Sequence, residues 1–348
     1  MRSVWKWLKR SAVLLLLVLL GLMTPVAYVE TLCVGTEEAS PYQAILEPRY
    51  HRVETRTLMT FPEWQIVHAY EDYAEVIRTG DPHDFRYLNS IGGFWSSLCK
   101  LNEASARFGP VDGSTRMMVH VIGLSFTVEL LLKSAYENTI GRFAVFIRGH
   151  ERAPTDELSA RQSREYADFL QQVPWYKWRF REASAEIGAL LPTGFRDRER
   201  QFALGIEYRA KAEYAAAIAS AVDATGKDEL SLRLIVAPRG ILPPADNTRI
   251  VGELPQGIVM ETPRYRALTR ILLDLSLSGH DFVEIAGNDD ILISVLSKDP
   301  QLLGAIDSEP RQGFGDYRHL MILKVSALAQ RLRDLSKTGA TLEHIHDY

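Results

Sequence analysis

The sequence predicts an N-terminal transmembrane helix, then an α-helical region, then an α+β domain of ferredoxin-like (βαββαβ) order. Three observations carry that reading: an uncharged apolar run from Ser11 to Val29, apolar residues at helical spacing through the first two thirds, and a strand, helix, strand, strand, helix, strand order near the end. The implied boundaries are a basic N-terminus at 1–10, an anchor at 11–30, a linker at 31–58, a mainly α-helical domain at 59–195, a connector helix at 196–226 and the α+β domain at 227–348.

At about 1.5 Å per helical residue, the run from Ser11 to Val29 nearly matches a hydrocarbon core of roughly 30 Å. Arg2, Lys6, Lys9 and Arg10 precede it, and no acid occurs before Glu30. The positive-inside rule then keeps the N-terminus in the cytoplasm and the body outside, in a membrane of the bacterial inner (cytoplasmic) type. Trp5 and Trp7 fit the headgroup level. A cleaved signal peptide is the competing reading, but Pro25 stands where a cleavage site at Ala27 needs a small residue. Glu30, Thr31 and Leu32 likewise lack the small-residue pattern that lipid attachment at Cys33 requires.

Of the 348 residues, 46% are hydrophobic and 24% charged, which suits a chain that buries sizeable cores. No tandem repeat or low-complexity tract stands out. The net charge of −4 becomes −8 once the four cations before the anchor are set aside. An acidic body argues against a nucleic-acid partner. With only Cys33 and Cys99 there is no disulfide framework and no CxxC motif. Outside the cytoplasm the two would form either one disulfide or a pair of buried thiols.

After the linker, Thr60 and Pro62 start an amphipathic helix whose Ile66, Tyr70, Tyr73 and Ile77 recur at helical spacing before Gly80. A second helix runs from near Ser90 to Gly109-Pro110. Met117 to Leu132 is apolar enough for a buried, membrane-hugging or membrane-spanning helix. Its Ser125, Glu129, Lys133 and Glu137 nevertheless form a polar stripe in which Glu129 and Lys133 can pair. A polar helix follows from about 155 to 171. Trp175, Tyr176, Lys177, Trp178 and Arg179 then mix amphipathic rings with cations, as membrane-interface segments do, or form an extended segment packed on the helical domain. An Ala-rich connector closes at Gly226.

In the last third, "LSLRLIVAP" reads as a strand and "TRIVGELPQGIVME" as a hairpin or two short strands around Pro255. Tyr265, Leu268, Leu272 and Leu275 make a helical face. "HDFVEIAG" and "ILISVLS" read as strands joined by a hairpin turn with Asp289 and Asp290 at its solvated tip. Met321, Val325, Leu328, Leu332 and Leu335 form a second helical face ended by Gly339, and "ATLEHIHD" is the last strand.

Catalytic signatures are sparse: there is no P-loop, HExxH or EF-hand loop, and "GFGDYR" lacks the strand and third glycine of a dinucleotide site. Ser125 has Gly123 before it but Thr127 where a nucleophile elbow needs glycine. His83 between Asp81 and Asp84 reads as a turn more readily than as a cation site. His344 and His346 stand two apart on a strand and so share a face, half of a metal site, with His319 and His280 as candidate third ligands. If Ile345 faces the helices, the two imidazoles point to an open sheet face; if Leu342 does, His344 is packed in the core.

The expectation is therefore a membrane-anchored, non-catalytic envelope protein that binds or assembles with a protein or lipid partner, the bilayer first among them, or with a second copy of itself. It needs no cofactor. The competing expectation is a membrane-surface metalloprotein or hydrolase using His344 and His346 or the region of His120, Ser125 and Glu129.

Overall fold

The computed structural model describes residues 2–36, 41–225, 231–237, 239–243 and 247–347. Helix α1 (Arg2–Leu32) is followed by α2 (Glu54–Thr60), α3 (Pro62–Thr79), α4 (Tyr87–Ser105), α5 (Gly113–Tyr136), α6 (Arg142–Arg148), α7 (Pro154–Leu170), α8 (Phe180–Ala189) and α9 (Phe195–Thr225). A π-helical turn, Glu137–Gly141, joins α5 to α6. The expected stop at Gly226 lies outside the described residues.

Helix α1 is long and apolar enough to cross a membrane, and so by length and composition is the continuous 113–148 segment. Among the described residues, α1 meets the rest of the chain through its last turns: Val26, Val29 and the adjoining Cys33 pack into a core with Tyr73, Phe94, Trp95, Leu98, Phe126 and Leu130. Cys33 and Cys99 are joined in a disulfide, which ties the end of α1 to α4. The charged members of the polar stripe, Glu129, Lys133 and Glu137, turn inward. Lys211 of α9 reaches Glu129 at 2.8 Å, Lys133 reaches Glu207 at 2.9 Å, and Arg200 reaches Glu137 at 2.8 Å. Arg196 and Arg200 are almost wholly buried, and each is paired with carboxylates, as a buried guanidinium must be.

The C-terminal third differs from the ferredoxin-like expectation. Instead of one four-stranded sheet it has two antiparallel sheets of four strands each, ordered β2-β3-β1-β4 and β6-β7-β5-β8. The strands are β1 (Ser231–Ala237), β2 (Arg249–Leu254), β3 (Gly257–Pro263), β4 (Asp281–Ile285), β5 (Asp290–Ser297), β6 (Asp307–Pro310), β7 (Tyr317–Lys324) and β8 (Thr341–His346). Helix α10 (Tyr265–Leu277) precedes β4, and α11 (Val325–Leu335) precedes β8. β2 and β3 form the hairpin expected around Pro255. β4 and β5, read as a hairpin, lie in different sheets. Asp289 and Asp290 are accordingly no solvated tip: both accept from Lys324, and Asp290 is buried.

The two halves repeat one plan. Each is strand, strand, strand, helix, strand with the same sheet order, and the helix–strand portions align at an offset of 60: Ala267/Ala327, Leu268/Leu328, Leu272/Leu332, Asp274/Asp334, Leu275/Leu335, Ser276/Ser336, Gly279/Gly339 and Ile285/Ile345 are identical pairs. Gly279 and Gly339 both take positive φ just past their helices, where a side chain would be strained. Even the irregularities match. The last strand of each half slips register at corresponding positions, opposite Ile235/Val236 and opposite Ser294/Val295, leaving Val283 and Glu343 as the extra residues. Leu268, Leu272 and Leu275 share a single core with Leu328, Leu332, Leu335, Phe282, Ile285 and Ile345, so the two halves fold as one domain.

Candidate functional site

The duplicated domain has two outer sheet faces, and both are covered. Over the first, Glu284 accepts from the Tyr42 hydroxyl at 2.5 Å and from the backbone N–H groups of Ile45 and Leu46 at 2.5 and 2.9 Å, strapping the post-anchor segment down. Over the second lie α2 and α3: Leu58 and Phe61 pack on Leu292 and Leu320, with Trp64 beside them. A cleft of about 800 Å³ opens where α3 and α4 meet residues 309–315 and Arg318.

On α3, Gln65, His68 and Asp72 fall at i, i+3 and i+7 and share the face turned to the cleft. From the sheet come Arg318 on β7 and Glu343, the bulge residue of β8. Arg318 donates from Nε and Nη2 to the two oxygens of Glu343, both at 2.7 Å, and its Nη2 also reaches Glu71 at 3.3 Å. Arg311 holds the other oxygen of Glu71 at 3.2 Å and faces Asp316. The Gln312 N–H donates to Asp72 Oδ2 at 2.9 Å, whereas Asp72 Oδ1 and His68 Nε2 have no protein partner. Glu309 accepts from Gln65 at 2.9 Å and approaches α4 at Gly93, where a Cβ would sit 3.0 Å from its carboxylate.

Burial sets the proton affinities. It pushes Asp72 up to about 7, with the nearby Arg318 only partly offsetting it. It also raises Glu309, where the charge of Asp307 adds to the effect. Burial drives His68 well down, with the charge of Arg318 acting in the same direction, so the ring is neutral. Glu343 is the exception: burial opposes its charge, but Arg318 overrides it and holds the carboxylate well below its usual range. Arg311 and Arg318 thus gather Glu71, Asp316 and Glu343 into one ion-paired network beside the cleft, while Asp72 and Glu309 line the cleft itself together with Glu75, Asp84, Arg78 and Arg86. Burial favours the protonated form of both Asp72 and Glu309.

The bulge settles how the last strand faces. Both Leu342 and Ile345 pack on the helical core, while Glu343, His344 and His346 point outward. That outer face is not open. His344 and His346 are 4% and 2% exposed, with Trp64 stacked 4.2 Å from the first and Phe61 4.7 Å from the second. His344 Nδ1 pairs with the Thr269 hydroxyl and His346 Nε2 with that of Ser294, both at 3.3 Å. Burial lowers His344 to about 4 and drives His346 well below its usual range. Neither joins a group of three metal-type ligands among the described residues; His68, Glu71 and Glu343 do, and Cys33, Cys99 and Glu103 do around the disulfide. His319 is held by Ser297 and Ser308, and His280 accepts from the Arg239 N–H.

Other sequence candidates are dispersed. Ser125 is exposed in mid-helix on α5 rather than on an elbow, and His120 bonds Glu30 of α1 at 2.7 Å. Asp81 pairs with Arg148, and Asp84 caps the turn that carries His83. Trp175, Tyr176 and Trp178 are half-buried against α7 and α9, Arg179 bridges Glu165 and Glu186, and Lys177 is exposed. Trp5 and Trp7 are exposed on α1. The cleft residues went unread in the sequence, although Arg318 inside the apolar "YRHLMILK" and the period of Gln65, His68 and Asp72 were usable signals.

The architecture is that of a two-domain protein with an apolar N-terminal helix and a polar cleft between its helical and duplicated domains. The chain matches no known family model, no curated protein and no solved structure.

Proposed function

We propose that this chain is a membrane-tethered, non-catalytic binding protein: α1 is the anchor, the body lies outside the cytoplasm, and the interdomain cleft takes a small polar ligand that brings positive charge. The observation that carries the reading is Asp72, buried, with its Oδ1 unpartnered beside a void large enough for a small molecule. The four cations ahead of the apolar run of α1 support the orientation, and the Cys33–Cys99 bridge supports an oxidising compartment for the body. The test is a thermal-shift series on the detergent-solubilised full chain with primary amines, amino acids and divalent cations. Some amine is expected to raise the melting midpoint of the wild type and not that of Asp72→Asn. If no amine distinguishes the two proteins, the cleft is not a cation site.

A second reading, a metal at His68, Glu71 and Glu343, draws on the closeness of their ligand atoms, within 4.8 Å of one another. A metal there must displace Arg318 from Glu343, so it is the weaker of the two. Elemental analysis of purified protein showing stoichiometric metal that is lost in His68→Ala would reverse that order.

A further inference from the structure

We propose that the α5–α6 helix lies along the same bilayer that α1 enters, with its outward apolar stripe at the depth of the headgroups and first methylenes. The starting point is a length mismatch. From Ser11 to Gly21 every residue of α1 is exposed, but from Leu22 to Val29 only one face is: Pro25, Val26 and Val29 are packed on the helical domain, while Met23 and Tyr28 stay exposed. The part exposed on all sides is about 16 Å long at 1.5 Å per residue, roughly half of a hydrocarbon core. Extending the span backward would drag Lys6, Lys9 and Arg10 into the core, at a cost of a few kcal/mol each. The span therefore includes Leu22 to Val29, and the part of the domain packed around those residues reaches leaflet depth with them.

That part includes α5. Glu30, at the end of the apolar run, accepts from Arg116 at 2.9 Å and His120 at 2.7 Å, which pins the first turns of α5 where α1 leaves the membrane. From there Met117, Val121, Val128, Leu132, Phe143 and Ile147 are all exposed along one helix. The acids of that helix, Glu129 and Glu137, are turned inward to Lys211 and Arg200. On the outward side, Asn138 and Thr139 donate back to carbonyls of their own helix, which spares them a need for water. Arg142, the exposed cation, has the reach to extend to phosphates.

The same helix does not cross. Its 36 residues measure about 54 Å, well beyond the core, and its inward face is bonded along its length to Glu207, Lys211 and Arg200 of the polar helix α9. Crossing would take those ion pairs into hydrocarbon. This inference shares with the proposed function only the role of α1 as the anchor.

The experiment uses the full chain in proteoliposomes with one added cysteine at a time, Val121→Cys, Leu132→Cys or Phe143→Cys, each carrying an environment-sensitive dye. Leu303→Cys, 93% exposed on the duplicated domain, is the water reference, and Leu16→Cys reports the anchor. Labels at 121, 132 and 143 are expected to be quenched several-fold less by iodide than the label at 303, and best by lipids with a shallow nitroxide. Iodide quenching equal to that at 303 overturns the proposal. So does a label at 132 that responds best to a deep nitroxide, since that describes a crossing helix. A label at 16 that iodide reaches freely removes the anchor, and this inference with it, while leaving the cleft reading testable on its own. Met117→Cys and Ile147→Cys replace any variant that does not keep the wild-type melting midpoint.

Discussion

Asp72→Asn is expected to make the protein more stable at pH 8 and to lose that advantage as the pH falls. The carboxyl is 7% exposed and titrates in the fold at about 7, against 3.8 when unburied. As the pH rises through that interval the unfolded chain gives up the proton first and the folded chain keeps it. The contribution is thus complete below pH 3.8, declines through the window up to about 7, and is flat above it. Three units at about 1.4 kcal/mol each make the loss roughly 4 kcal/mol, on the order of 8 °C in melting midpoint. Asparagine is close in shape, can still accept from the Gln312 N–H, and carries no titrating proton. The assay is the difference in midpoint between variant and wild type, followed from pH 4 to pH 8.5 in one detergent. Any constant offset from the amide cancels in that comparison, as do Glu309 and the histidines. A difference that does not change with pH would refute the assignment of a buried, unpaired carboxyl at this position.

Three further outcomes follow from the packing. Arg318→Ala leaves the largely enclosed Glu343 without its cation and should cost about 3–5 kcal/mol in denaturant unfolding; the double change Arg318→Met with Glu343→Leu should recover most of it. Replacing Cys33 and Cys99 by serine opens a bridge spanning 66 positions and should cost about 4 kcal/mol, a loss that reductant reproduces in the wild type and does not deepen in the variant. Leu268→Ala and Leu328→Ala, equivalent in the two halves and both fully buried, should each cost about 2–5 kcal/mol and unfold the whole duplicated domain in one transition. Separate transitions for the two halves would contradict a shared core.

The helical elements were legible because each carries its own punctuation: Pro62 and Gly80 bracket α3, and Gly109-Pro110 ends the stretch that carries α4. The strands were harder. Met321, Val325 and Leu328 sit at helical spacing, so one long helix was read where β7 runs straight into α11 at Val325. In β7 the true period is two: Leu320 and Ile322 face α2 and α3, while Met321 and Leu323 face the helices of the duplicated domain. With both faces covered, neither side is polar, and the alternation that reveals a strand disappears. The final strand was legible in extent but not in facing, because a bulge lets Leu342 and Ile345, three apart, share a face that strict alternation forbids.

The duplication explains why the site lies where it does. Two copies of one unit, joined through α10 and α11, leave two outer sheet faces that need cover, and corresponding positions serve each cover differently. Glu284 in the first half binds the strap at 42–46; His344, its counterpart at an offset of 60, lies under Trp64 of α3. The neighbouring bulge residue is Val283 in one half and Glu343 in the other. An apolar bulge suits the dry contact under the strap, whereas Glu343 recruits Arg318 and, through it, Glu71. The bulge residue is thus part of a packed surface on one face and, paired with Arg318, part of a charged network on the other. Both covers also lead back toward α1, the strap by sequence and α3 through the core it shares with Val29 and Cys33.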